Sequence, residues 1–540
     1  MGTQSRDVAE VADGGSYDYL IVGAGASGAV LAARLAGRSG ATVAVFEAGG
    51  DDRRPEVRMP GRFGELFGTE HDWNYRTTAQ PHLGGRRLRW PRGRMLGGSA
   101  SLNAQMWIRG HRADYDEWGE QCPGWSFADV EPYFRRAEGR QGSNTDGVYG
   151  TEGPQRVADL RHRNVLTGAF LAACAEIGLP RLPELNTPDN AGFAPTVVTQ
   201  RHGRRWSVVD GYLRPALRLP GLRVVTGARV RRVLLDGPRA TGVEFTDRRG
   251  VLRRASARRE VVLCAGAIGS PQLLLRSGIG DPDQLTAAGV PVAHRLPGVG
   301  RNLQDHPSIG LYRETTEPVS MLDIGTWPNL LRYHLLRRGP LTSNVGEAVA
   351  FVHSDPALAA PDLELLWAPI PRSYRGVSAD DTHGVTIDVI LLRPESRGMV
   401  LLTDADPAAP PTIDPDYLSC PADARRLVAG LRIAERLCAT EALAGRLAGP
   451  MAPYPGPVDD QRAADYLRDN LLTLYHPVGT CRMGPDPGAV VDPELRVRGL
   501  TGLRVADASV IPALPRGHTM APAVMLGERA ADLITAAAAG

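Results

Sequence analysis

Two histidines, one carboxylate and several tightly spaced glycines are the residues of this 540-residue chain whose types and surroundings could carry chemistry. His476 lies in 474-LYHPVGTCRMG-484, where Pro477 and Gly479 oppose a helix, and His518 lies in 515-PRGHTMAPAVMLGERAADLI-534, just ahead of an apolar helical pattern. Both stand where the chain changes direction, the usual place for groups that face a cavity. An imidazole near neutrality can accept the proton of an alcohol and then donate a hydrogen bond to the developing alkoxide. Two of them can divide the work of base and positioner while hydride leaves the carbon. The residues alone leave another use open, the capping of backbone groups. Zinc is a further chemistry that histidine offers, but no third ligand stands at a recognisable spacing, so no metal is expected.

The elements that must position these groups begin with 17-YDYLIVGAGASGAVLAARLAGRSGATVAVFEAGG-50. Tyr19 to Val22 reads as a buried strand, Gly23 to Gly28 as a tight turn, and Ala29, Leu31, Ala32 and Leu35 follow at helical spacing. A second buried strand, 42-TVAVFEAG-49, ends at Glu47. Gly23 permits the turn, Gly25 lets backbone approach a pyrophosphate, and Gly28 lets helix and strand pack closely. The helix N-terminus then offers free amides to the phosphates. Glu47 is placed to accept both hydroxyls of a ribose and would repel the extra phosphate of NADP; it does not separate NAD from FAD.

Later segments repeat or cover this unit. The stretch 90-WPRGRMLGGSASLNAQMWIRG-110 reads either as a loop entering a serine-capped helix or as a backbone-rich wall beside a flat cofactor, with Gly97, Gly98 and Ser99 allowing close approach and Asn103 offering an amide. In 259-REVVLCAGAIGSPQLLLRSG-278 a buried strand ends at Cys264-Ala265-Gly266-Ala267 before a helix, the grammar of the N-terminus again. The aromatics of 111 to 137 read as core. Residues 138–200 read as an excursion into a second domain. The strand-like runs 345–352, 362–370, 384–392 and 398–403 come without intervening helices and predict a largely antiparallel sheet, followed by a helix over 422–438.

Composition sets the outer limits. With 43% hydrophobic and 23% charged residues the chain is globular and too long for one core, so two associated domains are expected. Its net charge of +2 provides no field to recruit nucleic acid or an anionic membrane, and short basic clusters such as 86-RRLRWPRGR-94 and 201-RHGRR-205 read as solvated faces. All 62 basic residues are arginine. Pyridoxal phosphate Schiff bases, a lysine base and a P-loop lysine are therefore impossible. Six cysteines with no Cys-x-x-Cys pair fit free thiols in a reducing compartment. Residues 1–15 lack the apolar core of a secretion signal, and no apolar run spans a bilayer; a cytoplasmic protein, at most peripheral to a membrane, is expected.

The ordered blocks 91-PRGRMLGGSASLNAQMWIRG-110, 262-VLCAGAIGSPQLLLRSGIG-280, 297-PGVGRNLQDHP-307, 475-YHPVGTCRMG-484 and 502–532, after the N-terminal glycine turn, closely resemble the glucose-methanol-choline (GMC) oxidoreductase family of flavoproteins over about residues 17–536. The wording of the blocks is most like the bacterial choline and alcohol dehydrogenase branch. The resemblance implies an α/β, Rossmann-like FAD-binding domain built from the discontinuous segments 17–137, 201–310 and 461–540 after a leader at 1–16. A second, α+β substrate domain with a largely antiparallel sheet would comprise 138–200 and 311–460.

It also implies the site. The first turn, with Ala26 and Ser27, would hold the FAD diphosphate, and Glu47 with Ala48 the adenosine ribose. Arg94 and the block from Gly97 to Asn103, continued by Ala104 and Met106, would cover the diphosphate and isoalloxazine. Val230 would meet the adenine through its backbone. Ala265 and Gly266, Asp507 and Ala508, and Thr519 and Met520 beside His518 would complete the contacts. His476 and His518 match the catalytic pair. Some members attach FAD through a histidine at the position that Leu102 fills here, so noncovalent binding is expected.

The implied activity is an FAD-dependent oxidation of a primary alcohol to an aldehyde, the proton going to His476 with help from His518 and the hydride to flavin N5. A dehydrogenase passing electrons to a quinone or protein carrier is preferred over an oxidase using oxygen. Oxidation of a sugar-like hydroxymethyl group and a nonredox flavin lyase are the alternatives. Trp327, Trp367 and Glu364 could form parts of a cage for a quaternary ammonium such as choline, although lone tryptophans also serve as packing.

Overall fold

The computed structural model describes residues 13–38, 40–373, 376–377 and 382–539. The predicted first strand runs over Gly15–Val22 (β1), so Gly15 and Ser16, expected in the leader, already belong to the sheet; residues 1–12 of that leader lie outside the described residues. The turn after β1 takes Gly23 to φ 102°, a left-handed conformation that favours glycine. A side chain on Gly28 would stand 2.0 Å from the Gly23 carbonyl oxygen, which is why the first helix, Ala26–Arg38 (α1), can follow so closely. Strand Val43–Glu47 (β2) is buried at all five positions, as a parallel strand covered on both faces should be.

Strands Leu222–Thr226 (β3), Arg229–Asp236 (β4), Arg239–Thr246 (β5), Leu252–Leu263 (β6) and Leu503–Val505 (β7) complete a seven-stranded sheet. Its order is β3-β2-β1-β6-β5-β4, with β7 joined to β6. Neighbours β3, β2, β1 and the end of β6 are parallel, whereas β4, β5 and the start of β6 form an antiparallel meander. After β6 and its small-residue turn comes helix Gly266–Arg276 (α2). Strand β7 pairs with Val261 to Leu263, which brings residues from the far end of the sequence beside the first glycine turn.

The second sheet also has seven strands. Leu447–Pro450, Pro307–Thr315, Gly384–Leu391, Leu363–Ala368, Ala348–Val352 and Gly192–Pro195 succeed one another, and Leu472–Thr473 pairs with Pro307–Thr315. Each of these pairings is antiparallel, as the strand pattern predicts. Helix Pro421–Cys438 lies on one face, where Gly430 leaves room for Val389.

Three local expectations differ. Met399–Leu401 pairs with Thr412–Asp414 in a separate ribbon. Leu472–Thr473, in a stretch expected within the nucleotide domain, adds to the second sheet instead. The segment 91–110 forms no serine-capped helix; it has a short 3-10 turn at Gly98–Ser101 and then irregular backbone, left-handed at Gln105 and Gly110, up to helix Arg112–Gln121. Gly97 and Gly98 take positive φ angles of 85° and 51°, incompatible with a helix start but suited to the backbone-rich wall.

The C-terminal helix Met520–Ala539 (α3) packs along α1. Its fully buried Glu528 accepts Arg34 Nε and Nη2 at 2.9 and 2.7 Å, Arg136 Nε at 2.8 Å and the Tyr212 hydroxyl at 2.8 Å. No helix among the described residues is long and apolar enough to cross a membrane. Glu528→Ala removes the common acceptor of three separated segments and is expected to cost about 3 kcal/mol, the low end for a buried ion pair because both arginines are partly hydrated; a urea midpoint equal to that of the wild type would show that α3 is held without it.

Candidate active site

A long cleft opens along the carboxyl ends of the parallel strands and runs between the two sheets, the place where an open α/β sheet binds its ligand. At one end the Glu47 carboxylate is buried and accepts the backbone N–H groups of Ala24 at 3.0 Å and Gly49 at 2.8 Å. Burial pushes its pKa up to about 7, against the lowering effect of those amides and of Arg94. In the middle, the two glycine turns face each other so closely that a side chain on Gly98 would stand 3.0 Å from Gly25 Cα. Asp507 closes the far side, its carboxylate accepting Gly266 N at 2.8 Å and the Ser270 hydroxyl at 2.5 Å.

The cleft gathers Gly23, Gly25, Ala26, Ser27, Glu47 and Ala48 from the first unit. From the loop after it come Gly98, Ser99, Asn103, Ala104 and Met106; from the later strands come Val230, Ala265, Gly266, Asp507 and Ala508. His476, His518, Thr519 and Met520 stand at the opposite end. Three expected contacts lie off its wall. Gly28 sits behind the turn against the Gly23 carbonyl, and Gly97 packs toward Ser101 and Val209. Arg94 stacks over Trp73 at 5.1 Å and lines a neighbouring depression with Gly49 and Gly50. Asn103 does line the cleft, but its Oδ1 is taken by Arg205 at 2.7 Å and Gln105 N at 3.0 Å.

The site's chemistry is concentrated in three imidazoles. The His476 and His518 ring centroids are 4.7 Å apart, and His306 lies on the other side of His476, Nδ1 to Nδ1 at 3.0 Å. His306 Nε2 is 3.1 Å from the Leu392 carbonyl oxygen. A carbonyl only accepts, so His306 carries its proton on Nε2 and presents a lone pair at Nδ1. The hydrogen-bond network then assigns the His476 proton to Nδ1 and leaves its Nε2 as a lone pair. Burial lowers His306 to about 3 and His476 well below the usual histidine range, with neighbouring His518 adding to both effects. His518 Nε2 lies 3.1 and 3.2 Å from the two Glu364 carboxylate oxygens, which leaves Nδ1 as its unengaged nitrogen.

The backbone at His476 is held under strain. Tyr475 has φ 64°, rare for a non-glycine residue. Arg92 Nη2 donates to the Tyr475 carbonyl at 2.5 Å, and Asp305 accepts the His476 backbone N–H at 2.6 Å. Thr473 and Tyr417 donate to the other Asp305 oxygen.

The fold, the glycine cradle and the paired imidazoles agree with what the chain as a whole resembles: the N-terminal and C-terminal models of the GMC oxidoreductases match residues 17–308 and 394–527. The chain belongs to the GMC oxidoreductase family. An uncharacterised GMC-type oxidoreductase of Mycobacterium tuberculosis is 47% identical over 526 residues, covering 96% of this chain and 99% of the relative. An alcohol dehydrogenase [acceptor] of Pseudomonas putida is 38% identical over 528 residues, 96% and 95% of the two chains. The crystal structure of pyridoxine 4-oxidase from Mesorbium loti superposes with a TM-score of 0.87 at 33% identity, covering 95% of this chain and 98% of that one. This GMC protein is an FAD-dependent oxidoreductase acting on CH–OH groups.

Two residues of this GMC site escape sequence reasoning. His306 lies in the block 297-PGVGRNLQDHP-307, where the Asp-His-Pro run ahead of a strand was the available signal. Glu364 enters the sequence reading only as part of an ammonium cage, and the structure does not assemble that cage. Trp327 is 73% exposed on a surface helix, and Trp367 stacks on Phe170 at 4.9 Å in the core; Glu364 itself is engaged by His518. The tautomer assignment is testable without turnover. With 15N-labelled imidazoles, His476 should appear as the Nδ1–H tautomer and stay neutral as pH falls through the usual histidine range, and should populate both tautomers in His306→Ala; an Nε2–H His476 in the wild type would overturn it.

Proposed function

We propose that this GMC enzyme oxidises a primary alcohol with a largely apolar body to the aldehyde, using noncovalently held FAD and passing the electrons to a quinone or protein carrier. The reading rests on one observation above all: His306 forces His476 to present a lone pair at Nε2, beside His518 and inside the cofactor cleft. FAD, when bound, supplies the hydride acceptor.

The residues present fit that cofactor. Glu47 is a buried carboxylate with two amide partners and room for the hydroxyl donors of a ribose; the facing turns at Gly23–Gly28 and Gly97–Ser99 form a cradle that side chains would fill. Leu102, buried on the cleft wall, has no nucleophilic atom for a covalent link. His476 Nε2 takes the hydroxyl proton, and His518, oriented by Glu364, positions the substrate oxygen. Phe63, Phe67, Leu366, Leu474 and Tyr475 line that end and favour an apolar substrate body while excluding water. The Pseudomonas putida relative, an alcohol dehydrogenase [acceptor], supports a carrier other than oxygen. Likeness to pyridoxine 4-oxidase favours a second reading, an oxidase that returns electrons to oxygen. The His518–Glu364 pair likewise gives a second candidate for the base.

Anaerobic titration with a panel of primary alcohols should bleach the bound flavin with at least one aliphatic or aromatic member. His476→Ala should keep its flavin and lose at least about 100-fold in reduction rate, the contribution expected of a general base; a smaller loss than in His518→Ala would transfer the base role to His518. Rapid reoxidation by air would favour the oxidase. Flavin that no alcohol bleaches in the wild type would sink the redox reading.

Glu47 sets a pH dependence for cofactor uptake. Its carboxyl, at about 7 in the apoprotein, is protonated below that pH, and ribose hydroxyls donate to the ionised form. Binding therefore releases a proton, and affinity rises with pH through the apoprotein value. FAD should bind the apoprotein about tenfold more tightly at pH 8 than at pH 6. Glu47→Gln should bind it more weakly and without that slope; equal slopes in the two proteins would remove Glu47 from the ribose site.

A further inference from the structure

Eight large apolar side chains are exposed among the described residues, and four of them share one ten-residue helix, Trp327–Leu336. Trp327, Leu331 and Leu335, spaced four apart, form a row on its outer face, with Leu336 beside them and Trp327 and Leu335 each more than 70% exposed. The opposite face is anchored: Tyr333 is buried against Met59 and Leu341, and its hydroxyl reaches the Arg58 carbonyl at 3.4 Å. The row is thus a fixed feature of a packed helix.

Cations surround it. A depression of about 940 Å³ beside the helix is lined by Arg201, Arg204, Tyr333, His334 and Arg337, together with the arginines around Arg54. Arg53, Arg54, Arg58 and Arg214 there are paired with Asp51, Glu70, Asp52 and Asp210. Arg201, Arg204, Arg332 and Arg337 make no ion pair among the described residues; Arg201 rests on the Trp206 ring and Arg337 on Tyr333. Asp323, an exposed acid just before the helix, sits beside His383 at 3.6 Å, and Glu65 on the neighbouring segment is paired with Arg62. A chain of net charge +2 thus gathers four arginines without an ion pair among the described residues around this helix.

We propose that this face docks on an anionic phospholipid bilayer, the row from Trp327 to Leu335 entering the acyl boundary and the arginines meeting lipid phosphates. An apolar row flanked by cations is the arrangement of a helix that lies in a membrane interface. A second copy of this chain is a poor occupant, because a two-fold contact would set these arginines against themselves. The docked helix covers Met59, and the segment Pro60–Leu66 that follows carries Phe63 of the catalytic cleft.

The test is flotation of the flavin-loaded enzyme with vesicles of phosphatidylcholine alone or with phosphatidylglycerol. Binding is expected with the anionic vesicles, falling more than about tenfold in Arg201→Glu/Arg204→Glu as each basic contact is lost. Leu331→Ser/Leu335→Ser should lose binding similarly. Both variants change exposed side chains and should keep the flavin spectrum and alcohol reduction of the wild type. Failure of the wild type to float, or equal flotation of all three proteins, overturns the proposal. So does a wild-type dimer, seen by light scattering, that becomes monomeric in the leucine variant, since the face would then belong to a second copy.

Discussion

A carboxylate without water needs its oxygens satisfied, and Glu528 meets that need by drawing Arg34, Arg136 and Tyr212 onto the last helix. The constraint reaches further than its own hydrogen bonds. Arg34 lies on α1, the helix behind the first glycine turn, and Glu528 lies eight residues into α3, whose start follows His518 directly. Clamping the two helices holds His518, from the end of the chain, on the same cleft as the glycine turn from its beginning. β7, paired with the end of β6, works in the same direction by delivering Asp507 to the Gly266 amide.

The second constraint is the neutrality of the imidazole pair at the heart of the site. Two rings that share a 3.0 Å nitrogen contact cannot both carry charge, and burial already disfavours the imidazolium of each. The proton order along Leu392, His306 and His476 is therefore directional, and it ends on an unprotonated nitrogen in the cleft. Holding that direction requires an exact backbone position for His476. The structure obtains it with a left-handed Tyr475, a conformation that costs on the order of 1–3 kcal/mol and that persists because Arg92 and Asp305 bind the C=O and the N–H of the Tyr475–His476 peptide group, while the Thr473 hydroxyl accepts the Tyr475 N–H. Strain here fixes the position of His476.

Much of this was legible in the sequence because it depends on local spacing. The strand, turn and helix around Gly23, the parallel strand ending at Glu47 and the antiparallel run from Ala348 to Leu391 each follow from period and glycine placement. What the sequence left open depends on long-range approach. Glu364 stands on a strand more than a hundred residues before His518, so no spacing links them. The aromatic candidates Trp327 and Trp367 differ in fate, one on the surface and one in the core, because burial depends on which helix or strand face meets a partner. Arg94 was expected on the cofactor wall, but its side chain turned to the Trp73 ring, a choice between two acceptable surfaces that only packing makes.

An absence of lysine also acquires a structural sense in the buried cations. Arg205 is 1% exposed and has no carboxylate partner among the described residues. It donates to the carbonyls of Val57, Ala100 and Asn103 and to Asn103 Oδ1. A planar guanidinium can reach four acceptors in fixed directions; an ammonium has three donors and a far stronger claim on water. Burial lowers the Arg205 pKa only to about 9, so the group stays charged near neutral pH. The cation thus joins the Gly97–Asn103 loop to the chain at Val57 and leaves a positive charge beneath the cradle. At the far end of the cleft Glu47 contributes the opposite polarity. A ligand with anionic phosphates in its centre and hydroxyl donors at one end matches that order of charges.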